Sequence, residues 1–212
     1  MVVAIDGPAG VGKSSVAQWV SESFGFFNLN SGSFYRAAAV KVLDSGVDTL
    51  NEKAVVDAVK TAAFDIVEKR LFLDGADVEA RLRTPEVDKA SSVFSSIVDV
   101  RHIINGHLRR IASAINLVAE GRDMTTVVFP NAEVKIYLDA SVSVRAMRRF
   151  NQGSSTQSLK EIELSIGERD HRDRNKKEGS LLIADDAVVL DTSTLTLAEV
   201  YEKVTGLIKA YL

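Results

Sequence analysis

Gly7-Pro8-Ala9-Gly10-Val11-Gly12-Lys13-Ser14 decides how this chain is read. The stretch follows a short apolar run, Val2-Val3-Ala4-Ile5, and opens a segment of helical periodicity. A glycine-rich turn between a strand and a helix lets successive backbone N–H groups converge on an anion at the helix N-terminus. The last two positions complete a polyphosphate site. Lys13 reaches the β and γ phosphates, and Ser14 offers its hydroxyl to Mg²⁺.

Around this loop the composition sets limits. The chain has 212 residues and 46% hydrophobic content, enough to bury one full core with embellishments. A formal net charge of −3 gives no basic footprint of the kind a nucleic-acid binder carries, so no polymer partner is expected. The absence of cysteine excludes disulfides and thiolate metal sites. No charged N-terminal region precedes a cleavable apolar stretch, and no apolar run reaches 18 residues, which predicts a soluble, unprocessed, cytoplasmic chain with no membrane partner. His102, His107 and His171 are too dispersed to form a cluster; surface positions without chemistry are expected for them.

Apolar runs at 2–5, 26–29, 117–119, 134–138 and 187–190 are short and nearly continuous, as in strands buried on both faces of a parallel sheet. Helical spacing lies between them, at 34–43, 103–115, 142–150 and 197–211. The alternation predicts a doubly wound α/β sheet. In the first helix Val16, Trp19, Val20 and Phe24 share a face, so Trp19 is read as a core residue. Residues 64–68, 71–78 and 80–83 break the alternation: the Asp74-Gly75 pair and period-two spacing predict a small antiparallel meander, a candidate substrate-facing insert. The polar patch Asn151–Ser158 reads as a mobile connection between helices.

Glu168-Arg169-Asp170-His171-Arg172-Asp173-Arg174-Asn175-Lys176-Lys177 is the second chemical signal. As a helix it places Arg169, Asp173 and Lys176 on one face and Asp170, Arg174 and Lys177 on the next. In a chain that already holds a polyphosphate loop, such cations suit a transferring phosphoryl group.

In this context the chain resembles the bacterial-type cytidylate kinases, a family of P-loop nucleoside monophosphate kinases. The likeness covers nearly the whole length. It rests on Ile5 through Ser15, on Ser31-Gly32-Ser33-Phe34-Tyr35-Arg36, on Gly121-Arg122-Asp123-Met124 through Val127-Val128-Phe129-Pro130, on Lys135 through Ser141, and on Arg169 through Asn175. The resemblance implies a P-loop NTPase fold in one domain over 1–212, with five parallel core strands, a monophosphate-binding insert at about 63–95 and a helical lid at about 150–182. It implies ATP-dependent phosphorylation of CMP, and of dCMP, to the diphosphate, by a chain expected to act as a monomer with Mg²⁺.

Family roles carried over by position place ATP at Gly7, Pro8, Ala9, Gly10, Val11, Gly12, Lys13, Ser14 and Ser15. They put Ser31, Arg101 and Asp123 around the cytosine, Ser92, Arg169 and Asp173 around the ribose, and Arg36, Arg122 and Lys176 around the acceptor phosphate. Lys13, Arg36, Arg122, Arg169, Arg172 and Arg174 are the expected catalytic cations, and Ser14 the expected metal ligand. Departures from the pattern are Asn30 for an aspartate, Val98 for a proline, Thr125 for a glycine and Lys176 for an arginine.

The base pocket so implied has a physical logic. Cytosine presents an N4 donor and an N3 acceptor, a carboxylate only accepts, and a guanidinium only donates. Three other readings compete: a P-loop kinase for UMP or another small acceptor, a nucleotide-switched binding protein, and a lid that binds RNA. The switch reading lacks an Asp-x-x-Gly sequence, and Asn175-Lys176-Lys177-Glu178 is only a superficial guanine motif. For RNA, the cations of 169–177 are interleaved with Glu168, Asp170, Asp173 and Glu178.

Overall fold

A computed structural model describes residues 1–68, 70–153 and 157–212. It resolves into two compact units, Met1–Leu29 with Ile115–Leu212, and Asn30–Ala114.

The first unit is built on a five-stranded parallel sheet of β1 (Val2–Asp6), β2 (Phe27–Asn30), β6 (Leu117–Glu120), β7 (Val134–Asp139) and β8 (Val188–Asp191), in the order β2-β6-β1-β7-β8. β1 is central. Val3 pairs with Val118 on one side and Val134 on the other, and Val3, Ala4 and Ile5 are wholly buried. This is why the run is unbroken by polar residues: both faces are covered. Helices α1 (Lys13–Phe24) and α8 (Leu197–Lys209) give Val16, Val20, Val200, Val204 and Ile208 to the same core. Trp19 differs from the expectation. It is half-buried at the core's edge and stacks on Tyr201 with ring centroids 4.7 Å apart, because the i, i+3, i+4 stripe is wider than the face the sheet covers.

Two further helices of this unit, α6 (Val142–Asn151) and α7 (Leu159–Arg174), pack through Ala146, Ile162 and Ile166. A capping box between Ser158 and Glu161 starts α7. Its buried positions, Ile162, Ile166, Asp170 and Asp173, form one stripe that is apolar in its first half and acidic in its second. The helix ends earlier than the expected 168–177 run. The Asn175 side chain donates to the His171 carbonyl at 2.7 Å, closing the last turn, and Lys176 and Lys177 lie beyond it. Of the stretch read as a mobile connection, residues 154–156 lie outside the described residues.

The second unit holds α2 (Ser31–Ser45), α3 (Glu52–Lys60), α4 (Pro85–Phe94) and α5 (Val98–Ala112), with an antiparallel sheet of β3 (Phe64–Val67), β4 (Arg70–Leu73) and β5 (Ala76–Asp77). The meander turns at Asp74 and Gly75, whose φ of 51° and 80° suit a hairpin loop that needs two left-handed residues. Residues 80–83, read as a further strand, instead form turns that lead into the Thr84 cap and Pro85 of α4. Pro85 in the first turn commits the chain to a helix there. Phe34, Phe64 and half-buried His107 stack in sequence at 5.8 and 4.9 Å, so His107 is a packing residue; His102 and His171 are exposed. Among the described residues no helix is long and apolar enough to cross a membrane.

Candidate functional site

The loop between β1 and α1 draws its shape from close approach. An added Cβ on Gly7 would lie 2.2 Å from the Leu138 carbonyl oxygen, so no other residue fits where the loop leaves the sheet. The Lys13 ammonium folds back onto the loop and donates to the Gly7 and Pro8 carbonyls, at 2.8 Å each. Lys13 is only 7% exposed. Burial, and then the charge of Arg122 with a further push from Arg169, hold its pKa well below the ordinary lysine value, against opposing pulls from Glu120 and Asp6. Two arginines and two carboxylates thus act on the one buried ammonium.

Ser14 and Ser15 are exposed at the start of α1, and the Ser14 hydroxyl donates to Glu120 Oε2 at 2.9 Å. Glu120 ends β6, the strand beside β1, and is 6% exposed. A hydroxyl beside a buried carboxylate is a hard-oxygen donor pair that suits Mg²⁺, with phosphate oxygens and water completing the shell. Among the described residues no three His, Cys, Asp or Glu side chains form a metal cluster of their own. Glu120 was not singled out by sequence reasoning. The available signal was a lone carboxylate closing the apolar run 117–119.

Asp6, the last residue of β1, carries the neighbouring loop. Wholly buried, it accepts from the Met124 N–H at 2.9 Å, the Thr125 N–H at 2.7 Å and the Thr125 hydroxyl at 2.6 Å. Burial raises its pKa despite those bonds. Thr125, where a glycine was anticipated, therefore adds a hydroxyl contact to this anchor. The π-helical turn Met124–Val128 follows, with the Asp123 carbonyl accepting from Val127 and Val128. Asp123 itself is 4% exposed.

At the end of α7, Asp173 gathers cations. Arg122 Nε donates to it at 2.7 Å, Lys176 Nζ lies 3.0 Å away and Arg169 Nε 4.0 Å away. Burial alone pushes the Asp173 carboxyl up; Arg122 and Lys176 overcome that and hold it below its ordinary value. Arg122, Arg169, Asp173 and Lys176 are therefore brought together, within reach of Lys13's field. Arg172 is exposed and donates to the Glu168 carbonyl at 3.4 Å. Arg174 lies close enough to Tyr137 of β7 for its charge to act on the phenol.

The remaining candidates lie in the second unit. Asn30 caps α2 by accepting from the Ser33 N–H, which leaves Ser31 buried in the first turn. Arg36 pairs with Asp88 at 2.8 Å, both partly exposed. Ser92 is exposed on α4 one turn beyond Asp88. Arg101 is 4% exposed, donates to the Ser95 carbonyl at 3.2 Å and sits over the Tyr35 ring, 5.8 Å from its centroid.

A family model described as cytidylate kinase matches residues 3–210. The cytidylate kinase of Vibrio cholerae is 42% identical over all of this chain and 97% of its own length, and that of Lactobacillus johnsonii is 38% identical over 99% and 94%. The cytidylate kinase of Alkaliphilus oremlandii is 35% identical over 98% and 97%. Among solved structures, TT1252 from Thermus thermophilus matches the fold with a TM-score of 0.50 at 20% identity, covering all of this chain and 97% of that one. With its parallel core sheet, its glycine-rich loop around a buried lysine and these whole-length relatives, the chain belongs to the cytidylate kinase family of phosphotransferases.

Proposed function

We propose that the protein transfers the γ-phosphoryl group of ATP to the phosphate of CMP, and of dCMP, giving ADP and the diphosphate. The observation that carries this reading is the gathering of Arg122, Arg169 and Lys176 on Asp173, in a chain whose glycine-rich loop holds a buried Lys13 on the Gly7 and Pro8 carbonyls and a Ser14 hydroxyl on Glu120. The acceptor is a phosphate monoester with a second pKa near 6, so it already attacks as an anion and no side chain has to remove a proton. Catalysis is then positioning and charge: the loop amides and Lys13 hold the donor, Ser14 with Glu120 holds Mg²⁺, and Arg122 and Arg169 lie over the transferring group. Mg²⁺, when bound, neutralises phosphate charge.

In the same reading Arg36 and Lys176 share the acceptor phosphate with Arg122, and Ser92 and Asp173 hold the ribose. Ser31, Arg101 and Asp123 select the base. The segment of about 63–95 serves as the monophosphate-binding insert and about 150–182 as the lid, with Arg172 and Arg174 as mobile cations. Uracil would set its O4 acceptor against the Asp123 carboxylate, a penalty of about 1.5–3 kcal/mol, so CMP beats UMP by tenfold or more. Turnover measured with saturating Mg-ATP across CMP, dCMP, UMP and AMP tests the reading. Preferred use of UMP overturns the base pocket, and no transfer to any of the four overturns the activity.

A further inference from the structure

Arg145 and Asp170 belong to none of the assignments above. Arg145 lies in the first turns of α6 and is among the largest fully buried side chains. Its guanidinium is used on every edge: Nε donates to the Ala140 carbonyl at 2.9 Å, Nη1 to the Ala9 carbonyl at 2.8 Å and Nη2 to Asp170 Oδ2 at 2.6 Å. The other Asp170 oxygen accepts from the Ala9 N–H at 3.4 Å. Both polar groups of one residue in the phosphate-binding loop are therefore held by a single ion pair, with side chains 2% and 4% exposed. The next residue rests on the same two helices. A Cβ built on Gly10 lies 3.6 Å from Arg145 Cβ and 3.9 Å from Ile166 Cδ1.

Stability alone is a poor account of this pair. Burying two charges commonly costs as much as their attraction returns, so the ion pair by itself is a weak source of stability. A planar fork that reaches three acceptors at once fixes orientation, which a greasy contact does not. Asp170 is also flanked in α7 by Arg169 and, three residues on, Asp173, the two residues that face Lys13 and Arg122. The rotation of α7 about its axis decides where both point.

We propose that Arg145 and Asp170 are positioning residues that clamp the loop to α7, so that the phosphate cradle and the Arg169 and Asp173 side chains keep one fixed register. The proposal rests on the reading of the Lys13 loop as the donor site. The test uses the full chain as R145M/D170L and as D170N. For each, the melting temperature, the Kd for Mg²⁺ with β,γ-imido-ATP and kcat with CMP are measured. R145M/D170L leaves the Ala9 N–H and the Ala9 and Ala140 carbonyls without these partners and should melt below wild type, while per folded molecule the analogue binds about tenfold more weakly and kcat falls about a hundredfold, the scale of a small misplacement.

In D170N one of the two acceptor contacts becomes donor against donor, and a loss of analogue affinity of about threefold to tenfold is expected. A purely structural pair would change the melting temperature and the active fraction but leave Kd per folded molecule untouched. Wild-type Kd in a folded variant of either kind therefore overturns the clamp, and D170N alone decides if the double variant does not fold. A wild-type chain that binds the analogue yet transfers to no acceptor removes the kinase reading by itself; the clamp is then judged on the Kd values.

Discussion

The loop proposed for the donor, in the first unit, and the residues proposed for the acceptor, in the second, are held in different ways. Lys13, Asp6 and Arg145 are buried and bonded largely to backbone groups of the loops that follow β1, β6 and β7, so their positions are fixed by main chain. Arg36, by contrast, is held by Asp88 across a partly exposed pair, a contact of the class worth a fraction of a kcal/mol to about 1 kcal/mol. Under the proposed roles the donor loop is preorganised, whereas an acceptor phosphate would have to displace the Asp88 carboxylate from Arg36.

The contrast is most exposed to Lys13→Ala. Removing the buried ammonium should lower kcat by about a thousandfold, at the upper end for a single electrostatic donor, while the chain stays folded because a costly buried charge is gone. A variant that retains a tenth of its turnover breaks the donor-side half of the comparison.

Glu120→Gln keeps the Ser14 hydrogen bond but drops the charge. The Mg²⁺ concentration for half-maximal rate should rise about 10- to 100-fold, read from a metal titration at fixed ATP. An unchanged titration would detach Glu120 from the metal and leave it a structural partner of Ser14.

Asp123→Ala should bring the CMP and UMP values of kcat/KM to within about threefold of each other, from a ratio of tenfold or more. Retained selectivity places base recognition elsewhere. The smallest effect belongs to Asp88→Ala. Freed from its exposed partner, Arg36 should bind the acceptor more readily, and KM for CMP should fall by about threefold with kcat unchanged. A rise in KM would mean that Asp88 orients Arg36 and does not compete for it.

How far these features could be read from residue order depends on the range of the contact. The five core strands and the Lys13-Ser14 end of the loop are written in contiguous residues, and each lies within a residue or two of its expected place. Helices α3 and α4 were not read although both carried signals: Asn51 caps α3, whose Val55, Val56 and Val59 share a face, and Thr84-Pro85 marks the start of α4 just after residues 80–83, which were read as strand. Glu120 is meaningful only once β6 lies beside β1, a pairing across more than a hundred residues that no local pattern encodes. The Ala9, Arg145 and Asp170 clamp joins three separate elements and was invisible for the same reason. The charged run of α7 was legible as a phosphate-facing segment, but its buried acidic stripe was not, because only burial distinguishes Asp170 and Asp173 from solvated carboxylates.

The stacked pair Trp19 and Tyr201 has a practical consequence. Trp19 is the sole tryptophan, it sits on the helix that begins with Lys13, and none lies between residues 30 and 114. Its fluorescence emission therefore tracks loss of packing between α1 and α8 in the nucleotide-loop unit alone. Set against far-ultraviolet circular dichroism, which averages over every helix, a melt followed at that single indole reveals whether the two units unfold together or in turn.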